Sequence, residues 1–251
     1  MNKNFGRQAV MALTGVSRSQ VEHWTQLGLV RPSLRPSFGK GTRREYSFSD
    51  LVQFKIAKTL RDEGIHLSKI EKCLTVLKNK LPDESKKPED WNMWLTIKDE
   101  SCYLTKDVHS IIDLFAKSNK MAKKNNHNID IENEYITMGV KYCDELPQTG
   151  FFYKRSDIHT RTKGLICALF MREIIEQIYK AYTEYSSPKQ MKVKVRGKEF
   201  NVVLTPDLED GGFTVQCNEI SAAISQGETE VEAMNNIIDA LELCLETESV
   251  L

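Results

Sequence analysis

The chain has 251 residues, enough for about two or three compact domains, and its 40% hydrophobic and 28% charged residues exclude a disordered or fibrous protein. The formal charge is zero but unevenly spread: residues 1–81 hold 15 basic and 6 acidic side chains (net +9), residues 82–190 hold 16 and 17 (net −1), and residues 191–251 hold 4 and 12 (net −8). A basic head and an acidic tail point to nucleic acid at one end and a different partner at the other.

No apolar stretch approaches the ~20 residues that span a bilayer, and the start lacks the apolar core of a secretory signal, so the expectation is a cytoplasmic protein with no membrane partner. Cysteines 73, 102, 143, 167, 217 and 244 stand singly with no CxxC pair. Cys73, Cys167 and Cys244 occupy apolar positions of helical patterns, as reduced core cysteines do.

In chain order, Arg7 to Leu13 predicts a helix stopped at Thr14-Gly15. Ser17-x-x-Gln20 has capping-box spacing, and the helix behind it carries Val21, Trp24 and Leu27 before Gly28. Residues 31–46, with two Pro, two Gly and five basic side chains, predict a loop or β-turn flap. A helix from about Asp50, capped by Ser49, sets Leu51, Phe54, Ala57 and Leu60 along one side and ends at Gly64. Ser68-x-x-Glu71 caps another with Ile70, Leu74, Leu77 and Leu81, stopped by Pro82. Residues 83–90 are a polar linker.

Beyond it, Leu95 to Thr105 alternates around a turn as a hairpin does. Val108 to Phe115 suggests a helix dissolving into the polar 123–128 stretch. Residues 130–160 carry no clear pattern. Thr162 to Tyr185 predicts one long amphipathic helix with Leu165, Leu169, Ile175, Ile178, Tyr179 and Tyr182 on one stripe, ended by Ser186-Ser-Pro188.

The pattern then switches to period 2. Val193 and Val195 form one strand, Gly197-Lys198 a hairpin turn, and Phe200, Val202 and Leu204 a second strand. Asp210-Gly-Gly212 turns, and Phe213, Val215 and Cys217 form a third. Gly227 leads into Thr229-x-x-Glu232, a capping box, and a helix with Val231, Met234, Ile238, Leu241 and Leu245 on one face. The expected fold class is α+β: a winged helix-turn-helix over 1–82, a linker and mainly helical middle over 83–189, and a three-stranded antiparallel sheet with one packed helix over 190–251.

The basic head has a direct physical logic. The helix starting at Ser17 offers Ser17, Arg18 and Gln20, with His23 one turn on, to a major groove, while Val21, Trp24 and Leu27 hold it to its support. The flap brings Lys40, Arg43 and Arg44 to phosphates, and the Tyr46 hydroxyl donates to another. A solvated basic face on a helical domain is the plainer alternative. Trp24 reads as core before a base-stacking ring, and His23 equally as an exposed spectator.

The run ALTGVSRSQVEHWTQLGLVRP (12–32) resembles the helix-turn-helix of MerR-family transcription regulators, and GTRREYSFSDLVQFKIAKTLRDEGIHLSKI resembles their wing and the two helices after it. The resemblance covers about residues 5–81. It implies a sequence-specific DNA-binding regulator acting as a dimer or higher oligomer on double-stranded DNA. Ser17, Arg18, Gln20 and His23 would lie on the recognition helix, and Arg43, Arg44 and Tyr46 on the wing. Glu22 and Thr25 depart from the family's R-Y-Y-E run, so a local ion pair or phosphate contact is expected to be missing. The metal-sensing cysteine pattern is absent.

The segment DGGFTVQCNEISAAISQGETEVEAMNNIIDALELCLE resembles HicB-like antitoxin domains over about 191–248, most specifically at Ser225 to Ala233. That implies a tail able to cover a small basic toxin, beside the plainer role of an oligomerisation module and a third, ligand sensing. Without the name, Thr229 caps the helix and Glu228, Glu230 and Glu232 favour its positive end. An acidic tail can also fold back on the basic head of its own chain or a neighbour's. No HExxH, Gly-x-Ser-x-Gly or P-loop is present, Gly39-Lys-Gly-Thr42 lacks a strand before it, and residues 154–161 read as a basic linker. No catalytic residue, cofactor or metal is expected. The readings in competition are a regulator, an antitoxin-type autorepressor, and a nucleoid-associated DNA organiser without sequence preference.

Overall fold

A computed structural model describes residues 4–36, 43–78, 88–98, 101–106, 151–154 and 166–248. The helices are α1 (Arg7–Thr14), α2 (Arg18–Gln26), α3 (Phe48–Asp62), α4 (Leu67–Lys78), α5 (Met171–Ser186) and α6 (Glu230–Glu248). The strands are β1 (Trp94–Lys98), β2 (Ser101–Thr105), β3 (Phe151–Lys154), β4 (Ile166–Phe170), β5 (Lys189–Val195), β6 (Lys198–Pro206), β7 (Phe213–Cys217) and β8 (Ile224–Gly227), with a 3-10 turn at Pro88–Trp91. The chain divides into two compact units, residues 1–58 with 178–251, and residues 59–177. No helix among the described residues is long and apolar enough to cross a membrane. Leu81, Pro82, most of the 83–90 linker, the 108–122 helix, the 123–128 stretch and Thr162–Leu165 lie outside the described residues.

Residues 59–177 contain an antiparallel sheet in the order β2-β1-β4-β3, where the sequence suggested a mainly helical middle. The hairpin expected at Leu95–Thr105 is β1 with β2, paired from Trp94↔Thr105 to Lys98↔Ser101. The long helix expected from Thr162 is divided: Ile166–Phe170 is β4, paired along all of β1, and the helix starts only at Met171. A continuous apolar run such as Ile-Cys-Ala-Leu-Phe fits a buried strand as well as a helix, and the β1 partner decides. Cys167 is accordingly a strand residue. Trp94 and Phe170, direct cross-strand partners, tilt against each other with ring centroids 4.7 Å apart. The buried face of α4 is Ile70, Cys73, Leu74 and Leu77. His66, whose carbonyl accepts from Lys69 and Ile70, precedes α4, so Ser68 lies inside the helix instead of capping it.

In the other unit the tail sheet runs β5-β6-β7-β8, all antiparallel. Four strands replace the expected three. The fourth, Ile-Ser-Gln-Gly, is short and leaves Ile224 54% exposed, so no apolar alternation announces it, and pairing with Phe213–Gln216 makes it a strand. The first hairpin turns at Arg196-Gly197, one residue before the expected site, with φ 49° and 82°. Positive φ at both loop residues matches the strand twist. Val193, Val195, Val202, Leu204 and Val215 line the covered face against Ala233, Ile237 and Leu241 of α6. Of the expected α6 stripe, Leu241 is buried in this core and Met234, Ile238 and Leu245 pack against it, while Val231 is 71% exposed; Ala233 and Ile237 complete the buried face. Thr229 caps α6, its Oγ1 accepting from the Glu232 N–H at 3.1 Å. Gly227 serves close approach: a Cβ there would sit 2.3 Å from the Ala233 nitrogen.

Beyond β7, Glu219 accepts the Asn201 backbone N–H (3.0 Å) and side-chain amide (2.6 Å), closing the open end of the β6–β7 ladder. The Asn201 backbone bond holds the Glu219 carboxyl below its ordinary range. Truncating fully buried Leu241 to Ala is expected to destabilise the protein by about 2–5 kcal/mol, read as a lower denaturant midpoint with unchanged slope.

Candidate nucleic-acid interface

The turn between α1 and α2 is built from local bonds. Gly15 donates to the Met11 carbonyl (2.9 Å), and the Thr14 hydroxyl donates back to Val10 (2.6 Å). Ser17 then caps α2 reciprocally: its Oγ accepts the Gln20 N–H (3.3 Å) while Gln20 Oε1 accepts the Ser17 N–H (3.0 Å). Gln20 is thus a capping residue in this structure. Val21 and Trp24 bury the inner face of α2, with Trp24 stacked on Phe54 at 6.4 Å. Leu27, expected to support the helix, is 56% exposed instead, because α2 ends at Gln26 and the chain turns away.

Ser17, Arg18, Ser19 and His23 stand on the exposed face. Glu22 sits among them and answers two cations through one oxygen, Arg7 at 3.1 Å and Arg18 at 3.3 Å. The departure at Glu22 therefore supplies an ion pair where one was expected to be missing. Thr25 also gains a partner, the Tyr46 hydroxyl at 3.3 Å.

The described part of the flap is closed at its base by one isolated antiparallel bridge. Arg35 and Glu45 exchange backbone hydrogen bonds at 3.2 Å and pair side chains at 3.1 Å. Arg43 is exposed and ion-paired with Asp210 of the tail, and Arg44 is half-buried. Lys40 lies outside the described residues. Tyr46, expected to reach a phosphate, is 1% exposed and packs edge-on against Phe54, because its backbone pairs with Phe5. Of the residues expected to touch DNA, Ser17, Arg18 and His23 at and along α2 and Arg43 on the flap thus face solvent, while Gln20 and Tyr46 hold the frame.

Sequence reasoning missed Asp50. Its Oδ2 accepts the Ser33 N–H (2.9 Å), the Ser33 hydroxyl (2.8 Å) and the Ser47 N–H (2.9 Å), while its own N–H donates to Ser47 Oγ (3.3 Å). Ser47, not Ser49, is therefore the cap of α3, which starts at Phe48. The Ser-x-x-Asp spacing was the available signal. This cluster pins the entry to the wing onto α3. Burial pushes the Asp50 carboxyl above the usual range, against the lowering effect of those hydrogen bonds. The native state then binds the proton more tightly than the unfolded chain, so the Asp50 contribution weakens as pH rises from the ordinary carboxylate value through the raised native one. Asp50→Ala is expected to destabilise by roughly 1–3 kcal/mol, leaving the Ser33 and Ser47 backbone N–H groups unanswered. The wild-type advantage over that variant should shrink across the same rise in pH, as followed by denaturant titrations.

Residues 8–76 match the model of the MerR HTH family regulatory protein. An uncharacterized HTH-type transcriptional regulator of Mycobacterium tuberculosis and one of Mycobacterium bovis are each 37% identical over 68 residues, 27% of this chain and 30% of theirs. The HTH-type transcriptional regulator GlnR of Bacillus anthracis is 29% identical over 96 residues, 36% of this chain and 71% of that protein. The chain thus spans less than a third of the length of the mycobacterial relatives. Its N-terminal segment carries a MerR-type helix-turn-helix.

Proposed function

We propose that the chain is a sequence-specific DNA-binding transcription regulator acting as a dimer or higher oligomer. One observation carries this reading: within a MerR-type segment, α2 is fastened by Val21 and Trp24 and turns an exposed Arg18 and His23 outward from a capped N-terminus. In the proposed complex α2 enters the major groove of double-stranded DNA with Arg18 and His23 at base edges. Ser17 and Gln20 fix the helix start. Lys40, Arg43 and Arg44 meet backbone phosphates, and Tyr46 braces the wing through Thr25. The matched relatives are named as transcriptional regulators, which fits the same role. Such a protein works in the cytoplasm, on the nucleoid.

A second reading is favoured by the tail. A four-stranded sheet covered by α6, with no Lys or Arg after Lys198, suits a HicB-like domain that holds a small basic toxin. The same chain would then be an autorepressing antitoxin.

Salt-titrated binding to selected and random duplexes tests the first reading. Arg18→Ala is expected to cost about 1–3 kcal/mol on the selected site and relax its preference, whereas Arg44→Ala weakens both duplexes alike and lowers the salt slope by about one. A wild-type specificity ratio near one replaces the regulator with a DNA organiser. Co-purification of the full chain with the product of an adjacent small basic reading frame supports the second reading, and its failure to co-purify removes it.

A further inference from the structure

The acidic turn of the tail is seated against the basic head of the same chain. The Gly6 N–H donates to the Leu208 carbonyl at 2.8 Å. Gln8 bonds the tail at two points: Oε1 accepts the Gly212 N–H of the turn at 2.6 Å, and Nε2 donates to the carbonyl of Glu228, just past β8, at 3.3 Å. The fit is close enough that a Cβ on Gly6 would lie 2.3 Å from the Glu209 carbonyl oxygen.

The turn is rigid by its own bonds. Asp207 Oδ1 accepts from Glu209 (2.9 Å) and Asp210 (2.8 Å), and the Gly211 N–H donates to the Asp207 carbonyl (3.1 Å). Asp207 is therefore spent on the turn, while Asp210 reaches across to the wing and pairs with Arg43. Both partners are exposed, 69% and 65%, so a competing anion can reach the pair.

We propose that Asp210 is a built-in phosphate mimic: it occupies Arg43 and makes the tail a brake on the wing's engagement with DNA. The proposal rests on the DNA-binding reading above. A backbone phosphate must take Arg43 from Asp210, and the turn's negative charge opposes its approach. The ion pair is exposed and screened by salt, so the brake is strongest at low ionic strength and modest in size. It lowers affinity for every sequence alike, because phosphates carry no base information.

The test is duplex binding by the full-length protein and its Asp210→Asn variant, at several salt concentrations. The neutral amide cannot form an ion pair with Arg43, and the turn keeps its Asp207 bonds, so thermal unfolding should match wild type closely. The expected result is about three- to tenfold tighter binding to both random and selected duplexes at ~50 mM salt, with a salt slope steeper by about one. Arg43→Ala should itself weaken binding to both duplexes, since it removes the phosphate contact, and in that background Asp210→Asn should bring no further gain. Gly6→Val, whose Cβ displaces the Glu209 carbonyl, should reproduce or exceed the gain. If Asp210→Asn binds DNA with wild-type affinity and slope, the brake is overturned while DNA binding stands. If neither protein binds any duplex, both readings fall.

Discussion

One stripe of α5 ties the first unit together. Tyr179, Tyr182 and Tyr185 are spaced by three and stand on neighbouring turns of the helix. Tyr179 tilts onto Phe48 (5.4 Å), Tyr182 meets Phe5 edge-on (6.3 Å), and Tyr185 meets Phe213 of the tail sheet edge-on (6.4 Å). Such pairs contribute about 0.5–1.5 kcal/mol each beyond the area they cover. Two rings thus fasten the helix to the head and the third fastens the tail to the helix. The placement of Leu208 and Gly212 against Gly6 and Gln8 depends on that anchorage. Burial, together with the carboxylates of Glu230 and Asp207, pushes the Tyr185 hydroxyl up, so the ring packs as a neutral phenol.

Charge in the head is more nearly balanced locally than its +9 total suggests. Glu22 holds Arg7 and Arg18, Glu45 holds Arg35, and Asp210 holds Arg43. All are solvent-facing pairs of small net worth, which a polyanion can exchange for its own oxygens. Arranged this way, the basic side chains are kept in position without being locked. The buried Asp50 works differently: its hydrogen bonds fix backbone geometry at the wing entry and leave its charge away from the surface.

Features written in neighbouring residues were the ones legible beforehand. The Ser17–Gln20 and Thr229 caps, the β1–β2 hairpin and the period-2 strands of the tail all stand where spacing put them. The misplacements share a cause. Ser68 has capping-box spacing with Glu71 and Ser49 stands just before the acidic Asp50, but Ser47 and His66 take the cap positions because the helices begin earlier. Ile166–Phe170 has enough apolar character for either a helix or a strand, and only its pairing with β1 separates the two. Ile224–Gly227 has almost no strand signature and exists because β7 offers an edge.

Taken alone, the sequence determined the helix-turn-helix, the alternation of the tail strands and the opposed charges of the two ends. Each depends on spacing within a turn or a strand, or on composition. The tertiary structure decided which residues of those elements remain available. It buried Tyr46, brought Arg7 to Glu22 across the turn between two helices, and brought Asp210 to Arg43 from the far end of the chain. Partners so distant in sequence leave no periodic trace, because only the folded path of the backbone brings them within reach of each other.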